Sequence, residues 1–362
     1  LLLLVVSHTR ADFAARAEDR GAIIAQAPRP PLLQRASGFA QVRFAVIAIA
    51  ALLIGAATRA APAEVAPALV LTRVAPGVYV QLGDPALPSP ANRGRVANRG
   101  VLVGPTGIVL VNTGASREDG EALIAAATAV APIPVVAAIV TQATPDQVLG
   151  NAALAGRGIP VIAHRATDRF MLQNCTACIH ATVDQVGAGP LSTTRMSRPS
   201  WLIDHSTTLE LGGRTLELLD FGWTVQPGAI AVLDRASGVL FAGNLADFDV
   251  LPEVRTAQLE PWLEALRALR QRSITLVVPG HGPIGAPSRL DEVATYLTQL
   301  ETDTTAAYRN GVDLARASAT IGADRYRGWA GYERLQPSNV HFVYLGLERA
   351  DLDALRAGVP AQ

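Results

Sequence analysis

Val140-Thr141-Gln142-Ala143-Thr144-Pro145-Asp146-Gln147-Val148-Leu149-Gly150-Asn151 is the stretch on which the reading of this chain turns. Ahead of it, Val135 to Val140 is a short apolar run of the kind that forms a buried strand. Behind it, residues 147–156 carry a helical pattern. A polar loop that leaves a buried strand and opens a helix is where a rigid scaffold presents side chains for chemistry.

Working outward, the chain reads as two similar halves. In the first, Val78 to Leu82 is a predicted strand, and Val101–Val103 and Ile108–Val111 flank the turn Gly104-Pro105-Thr106-Gly107 as a hairpin. Ser116 is placed to cap a helix running to about Val130, with Glu118 and Asp119 in its first turn. A strand at Pro160–Ala163 and helical patterns from Ala166 to Val186 follow. In the second half, Thr208–Leu211 and Thr215–Leu219 flank Gly212-Gly213, a strong hairpin signal. Ala229–Leu233 and Val239–Ala242 form another pair. A helix over Glu260–Gln271 leads to a strand at Thr275–Val278, and helices dominate from Ser288 onward. Each half is a set of hairpins, then a helix, then a strand. The expected fold class is therefore α/β: an αββα sandwich, two mixed sheets face to face with helices outside.

Three more loops sit where strands end or begin: Phe221-Gly222-Trp223-Thr224-Val225-Gln226-Pro227-Gly228, Leu240-Phe241-Ala242-Gly243-Asn244-Leu245, and Val277-Val278-Pro279-Gly280-His281-Gly282-Pro283. Together with the first, they resemble the metallo-β-lactamase superfamily, whose loops read T-H-x-H-x-D-H, G-H-T-x-G, a-G-D and G-H-G-P in this order. The resemblance runs over roughly residues 70–345. A finer similarity is to the quinoprotein relay system zinc metallohydrolases. It is carried by Pro145 to Ala153, by Asn174-Cys175-Thr176-Ala177-Cys178 and by Asn339 to Glu348.

The resemblance implies a dinuclear zinc hydrolase, but the ligand positions have changed. The first-loop histidines are replaced by Gln142, Thr144 and Gln147, the second-loop histidine by Trp223, and the bridging aspartate by Asn244. Asp146 and His281 remain, two of the seven ligand positions. The family's D-T-G has become Asn112-Thr113-Gly114. Zinc favours imidazole nitrogen, thiolate and carboxylate oxygen. Neutral amides are poor substitutes, and an indole offers only a donor. Trp223 also has the bulk to fill the first metal's space. Without a metal to bring the pKa of water down toward ~7, no hydroxide forms at neutral pH. The expectation is a non-catalytic or strongly impaired protein holding no metal or one weakly bound metal. The alternative is a residual hydrolase with a mononuclear site at Asp146, Asn244 and His281, Asp146 being its catalytic residue. Asp146 also has a simpler reading, as a first-turn carboxylate favoured by the helix dipole.

Cys175 and Cys178 are the only cysteines. In an oxidising compartment the pair is expected to form a disulfide. A redox or structural role for the pair is a third alternative, although no thioredoxin-like pattern surrounds it. His164 and His205 lie outside the matching loops and read as ordinary surface residues. His341 reads as a packed residue of the C-terminal helix.

Composition excludes some functions. Lys+Arg and Asp+Glu balance at 31 each, which speaks against a broad nucleic-acid footprint. All the basic residues are Arg, so no lysine can act as Schiff base or general base. No Met precedes Met171, and residues 1–34 read as an uncertain or mistranslated extension. Residues 35–63 carry Arg35 and Arg43, an apolar run from Phe44 to Ala57, and Ala61-Pro62-Ala63. Those are the parts of a secretory signal, and the run is shorter than the ~20 apolar residues of a spanning helix. The expectation is a periplasmic or secreted protein with no stable membrane span after cleavage. A domain over residues 64–350 and a tail over 351–362 complete the reading. By resemblance, components of a quinoprotein dehydrogenase system are expected as partners.

Overall fold

The computed structural model describes residues 69–357. The expected extension (1–34) and signal (35–63) lie outside the described residues, and so do residues 358–362 of the expected tail. Among the described residues no helix is long and apolar enough to cross a membrane.

The elements run β1 (Thr72–Ala75), β2 (Val78–Gln81), β3 (Arg99–Val103), β4 (Ile108–Val111), α1 (Arg117–Val130), β5 (Val135–Ile139), α2 (Pro145–Val148), α3 (Asn151–Ala155), β6 (Val161–His164), α4 (Arg165–Val186) and β7 (Trp201–Ile203). The second half continues with β8 (Thr207–Leu211), β9 (Arg214–Asp220), β10 (Ile230–Asp234), β11 (Val239–Gly243), α5 (Leu259–Arg270), β12 (Leu276–Pro279), α6 (Leu290–Arg309), α7 (Leu314–Thr320) and α8 (Tyr332–Arg356). Strands β1 to β7 form one sheet in sequence order, and the second runs β12-β11-β10-β9-β8. Both are mixed. In the first, β1 to β4 are antiparallel and β4 to β7 parallel. In the second, β8 to β11 are antiparallel, and β12 joins β11 in parallel.

Strands β4 and β10 are apolar in nearly every residue because both of their faces are covered. Inner faces meet in a core that includes Leu102, Val109, Val111 and Ile139 from one sheet and Leu218, Val232, Phe241 and Val278 from the other. Outside the first sheet, Leu123 of α1, Leu154 of α3 and Met171 of α4 pack with Leu110 and Val140. Outside the second, helices α5, α6 and α8 contribute Trp262, Leu266, Tyr296, Leu297 and Val340. The expected αββα sandwich is therefore the observed fold. Trp262 shows how the outer layer is held. It is fully buried, and its indole N–H donates to the Leu245 carbonyl at 2.9 Å. Burying about 200 Å² at roughly 25 cal/mol per Å² contributes about 5 kcal/mol.

Local signals placed most elements. Ser116 caps α1, its hydroxyl accepting from the Asp119 N–H at 3.1 Å. Gly212-Gly213 makes the β8–β9 turn, with Leu211 paired to Arg214. The edge strands β1 and β7 carry no clear signal in sequence. They are short, and their burial is mixed. The helical pattern of residues 147–156 resolves into two short helices, α2 and α3. Helix α8 runs on into the expected tail, ending at Arg356.

Candidate functional site

Loops that follow β5, β11 and β12 meet at one end of the sandwich. Asp146 stands in the first turn of α2, on the loop after β5. Asn244 and Asp247 lie in the turn after β11, and His281 lies in the turn after β12. Gly280 lets the last two turns touch, since a Cβ there would sit 2.3 Å from Asn244 Oδ1 and 2.9 Å from Asp247 Oδ1. Asn98 clamps the same turn: its amide nitrogen donates to the carbonyls of Pro279 and Gly282, each at 2.9 Å.

His281 is held between two carboxylates. Its Nε2 lies 2.7 Å from Asp146 Oδ2, and its Nδ1 lies 3.0 Å from Asp247 Oδ1. The His281 backbone N–H also donates to Asp247 Oδ1 at 2.8 Å. Burial opposes the charged imidazole, but the Asp247 charge and the hydrogen bonds to both carboxylates hold its pKa well above the ordinary value. Both ring nitrogens then carry protons and donate. Burial pushes the Asp146 carboxyl up, yet its bond and charge attraction to His281 leave it below its usual value. Asp247 ends above its usual value, because burial outweighs the attraction of His281. The positive charge at this end of the cleft is thus an imidazolium flanked by two acids.

Gln147, Asn244, Thr141 and Asn112 form a second network. Gln147 donates from Nε2 to Asn244 Oδ1 at 2.6 Å, and its Oε1 accepts from the Thr141 hydroxyl at 2.8 Å. The Thr141 hydroxyl also lies 3.0 Å from Asn112 Oδ1, which accepts the Thr141 backbone N–H at 3.0 Å. Asn112 adopts φ +60°, a left-handed conformation that Asn tolerates better than most residues. Gln142 and Thr144 face the cleft from the same loop, and Gln142 Oε1 is buried without a hydrogen-bond partner.

Zinc does not fit these residues. It prefers imidazole, thiolate or carboxylate donors, and of the residues gathered here only Asp146, Asp247 and His281 supply them, already bonded to one another. The Asn244 oxygen accepts from Gln147, and the Gln147 oxygen accepts from Thr141. Among the described residues no group of three or more His, Cys, Asp or Glu is arranged to hold a metal.

Two sequence expectations need correction. Trp223 does not fill a metal's space: it is 47% exposed, and its indole N–H donates to the Thr256 carbonyl at 2.6 Å. The cleft-lining residues of that loop are Val225 and Gln226. Gln226 Oε1 accepts the Ala143 N–H at 2.9 Å, tying the first and second loops together. The expected disulfide is also absent, since Cys175 and Cys178 are both free. They lie three residues apart on the unbroken helix α4. That spacing separates Cβ atoms by roughly 5–6 Å, whereas a disulfide holds them at about 3.8 Å.

Asp247 was not legible as a site residue, its one signal being a carboxylate three residues beyond Asn244. Asn339 also went unmarked as a positioning residue. It is buried on α8, donating to the Pro252 carbonyl at 2.7 Å and accepting the Val254 N–H at 3.2 Å. It thereby fixes the segment that brings Leu251 and Glu253 to the cleft. His164 is a helix cap, its Nδ1 accepting the Ala166 N–H at 3.1 Å. The open cleft measures about 540 Å³, the size of a small-molecule site. Asp146, Asn244 and His281 lie at its polar end, and Leu87, Phe170, Leu251 and Leu335 add apolar walls.

Comparison with known proteins agrees with this architecture. The sequence profile described as Metallo-beta-lactamase superfamily matches residues 93–281. A metallo-beta-lactamase from Pontibacter korlensis is similar in structure, with a TM-score of 0.52 at 22% identity, covering 64% of this chain and 99% of that one. The DIM-1 metallo-beta-lactamase gives 0.51 at 20% identity, covering 64% of this chain and 98% of its own. TMB-1 gives 0.51 at 19% identity, covering 65% and 99%. No curated protein matches the sequence.

Proposed function

The chain belongs to the metallo-β-lactamase superfamily, and from that premise we propose that its cleft binds a small organic molecule without zinc-dependent hydrolysis. One observation carries the reading: two of the altered ligand positions, Gln147 and Asn244, bond to each other, and the two retained ones, Asp146 and His281, do the same. Gln147 bridges Thr141 and Asn244, and His281 is clamped by Asp146 and Asp247. These groups satisfy each other as a metal-free polar floor.

The same floor lacks the means to activate water. Hydroxide at neutral pH needs a metal or a free base. Both ring nitrogens of His281 are engaged by carboxylates, at 2.7 Å from Asp146 and 3.0 Å from Asp247, which leaves neither turned to the cleft. A cavity of about 540 Å³ with apolar walls and a few polar groups is what remains, and such a cavity suits binding. Association with a quinoprotein dehydrogenase system, from the periplasm or outside the cell, is the biological setting this reading proposes. That part is supported by the sequence wording at Pro145 to Ala153 and Asn339 to Glu348.

Elemental analysis of the purified full chain tests the proposal. Substoichiometric metal, and no zinc uptake on titration, is the expected result. Zinc near one equivalent would overturn it and restore the mononuclear alternative at Asp146, Asn244 and His281. A companion variant carries His at 142, 144 and 147 and Asp at 244. It is expected to gain zinc affinity, because it returns imidazole and carboxylate donors to the same end of the fold.

A further inference from the structure

The cleft has a wall that the altered metal loops do not account for. Helix α4 turns Asn174, Ala177, Cys178, Ala181, Thr182 and Gln185 toward the same cavity. Steps of three and one along the chain make this one face of the helix. Cys178 is half-buried in that face, and Cys175, one turn earlier, is fully buried. We propose that Cys178 is a nucleophilic thiol set into the cleft wall, and that the cleft captures small molecules bearing an α,β-unsaturated carbonyl as covalent thioethers.

Access comes from the neighbours. Ala177 and Ala181 flank Cys178 on the helix face, and both are exposed. Activation comes from the second thiol. A hydrogen bond from the Cys175 S–H lowers the Cys178 pKa to about 7 against the opposing effect of burial. The same bond, together with burial, pushes Cys175 up. The buried sulfur therefore keeps its proton, and the cleft-facing sulfur ionises. A ligand is also called for across the cavity. Gln142 is 2% exposed, lines the same space, and its Oε1 has no hydrogen-bond partner. An O–H or N–H group on the captured molecule would meet that need, since an unpaired buried amide oxygen is costly.

The step balances without any further reagent. The Cys178 thiolate forms a C–S bond to the β-carbon. The π pair of the C=C bond moves to the α-carbon, which takes a proton from water. No oxidant and no leaving group is involved.

The proposal rests on the reading of the cleft as an open, metal-free cavity. N-Ethylmaleimide, a compact unsaturated carbonyl, is the probe, applied to the full chain and followed by intact mass and peptide mapping. About half of the Cys178 thiols are ionised at pH 7, against a few per cent for an ordinary cysteine. The lower intrinsic nucleophilicity of a low-pKa thiol takes back part of that gain. The expected result is one adduct, on Cys178, formed about fivefold faster at pH 7 than on a cysteine peptide. The rate should rise with a midpoint at about 7. Cys178→Ser should abolish the adduct. Cys175→Ala should keep the adduct and move the midpoint upward, because it removes the S–H donor. Ala181→Leu, on an exposed helix position, should slow addition severalfold with unchanged melting. Addition only after denaturation, equal rates at both thiols, or no effect of Ala181→Leu would each overturn the proposal. Metal analysis of the same sample separates the two readings. Stoichiometric zinc with fast Cys178 addition would refute the metal-free cleft and support the reactive thiol.

Discussion

Replacing Gln147 and Asn244 by Ala, singly and together, measures whether the polar floor is a mutually satisfied unit. Gln147 is fully buried, so its loss strands the Asn244 oxygen to which it donates at 2.6 Å. Thr141 is not stranded, because its hydroxyl can turn wholly to Asn112 Oδ1 at 3.0 Å. The single variant therefore loses one hydrogen bond and leaves one acceptor unpaired, a cost of about 2–3 kcal/mol. Asn244→Ala strands the Gln147 amide N–H instead and costs about 2 kcal/mol. The double variant removes both ends of the shared bond, leaving neither group stranded by the other. Its cost should fall short of the sum by about 1–2 kcal/mol. Urea unfolding at pH 7, followed by tryptophan fluorescence, reads all three. The single changes should also lower Tm by roughly 4–12 °C for Gln147→Ala and 4–8 °C for Asn244→Ala, at about 2–4 °C per kcal/mol for a domain of this size. Adding a chelator should leave the unaltered protein's Tm where it was. Additivity within about 0.5 kcal/mol, or a chelator-sensitive Tm, would refute the argument that these groups hold one another in place of a metal.

Two further outcomes follow from the same structure. Asp234 is fully buried and paired with Arg214 at 2.9 and 2.5 Å. Burial pushes its carboxyl up, but Arg214 and Ser237 hold it below the usual value. Its contribution is therefore complete above the unfolded pKa of about 4 and is lost as pH falls through the lower folded value. Asp234→Asn should cost about 3 kcal/mol at neutral pH and flatten the acid limb of the stability curve, and an unchanged acid limb would contradict the pairing. Gly243 adopts φ +54°, and a Cβ there would lie 2.6 Å from Thr141 Oγ1. Gly243→Ala should destabilise by about 2 kcal/mol or more and displace the turn bearing Asn244; a thermal melt within about 1 °C of the parent would contradict this.

Sequence alone determined the architecture, because its signals are local and periodic. Apolar runs over Val135–Val140 and Val239–Ala242, the Gly212-Gly213 turn and the Ser116 cap each act within a few residues. The four loops could be placed at strand ends for the same reason, and Gln142, Thr144, Gln147 and Asn244 could be picked out on them as site residues. Tertiary structure decided what those residues do, because their partners come from distant parts of the chain. Asp146 meets His281 across 135 positions, and Gln147 meets Asn244 across 97. Spacing along the chain encodes neither contact. Asp247 joins the site only because the β11 and β12 turns touch at Gly280. Trp223 leaves it because its loop turns the indole outward toward Thr256. Cys175 and Cys178 read as a disulfide from composition and compartment, and the helix keeps them apart, since its 3.6-residue turn sets the distance between their side chains.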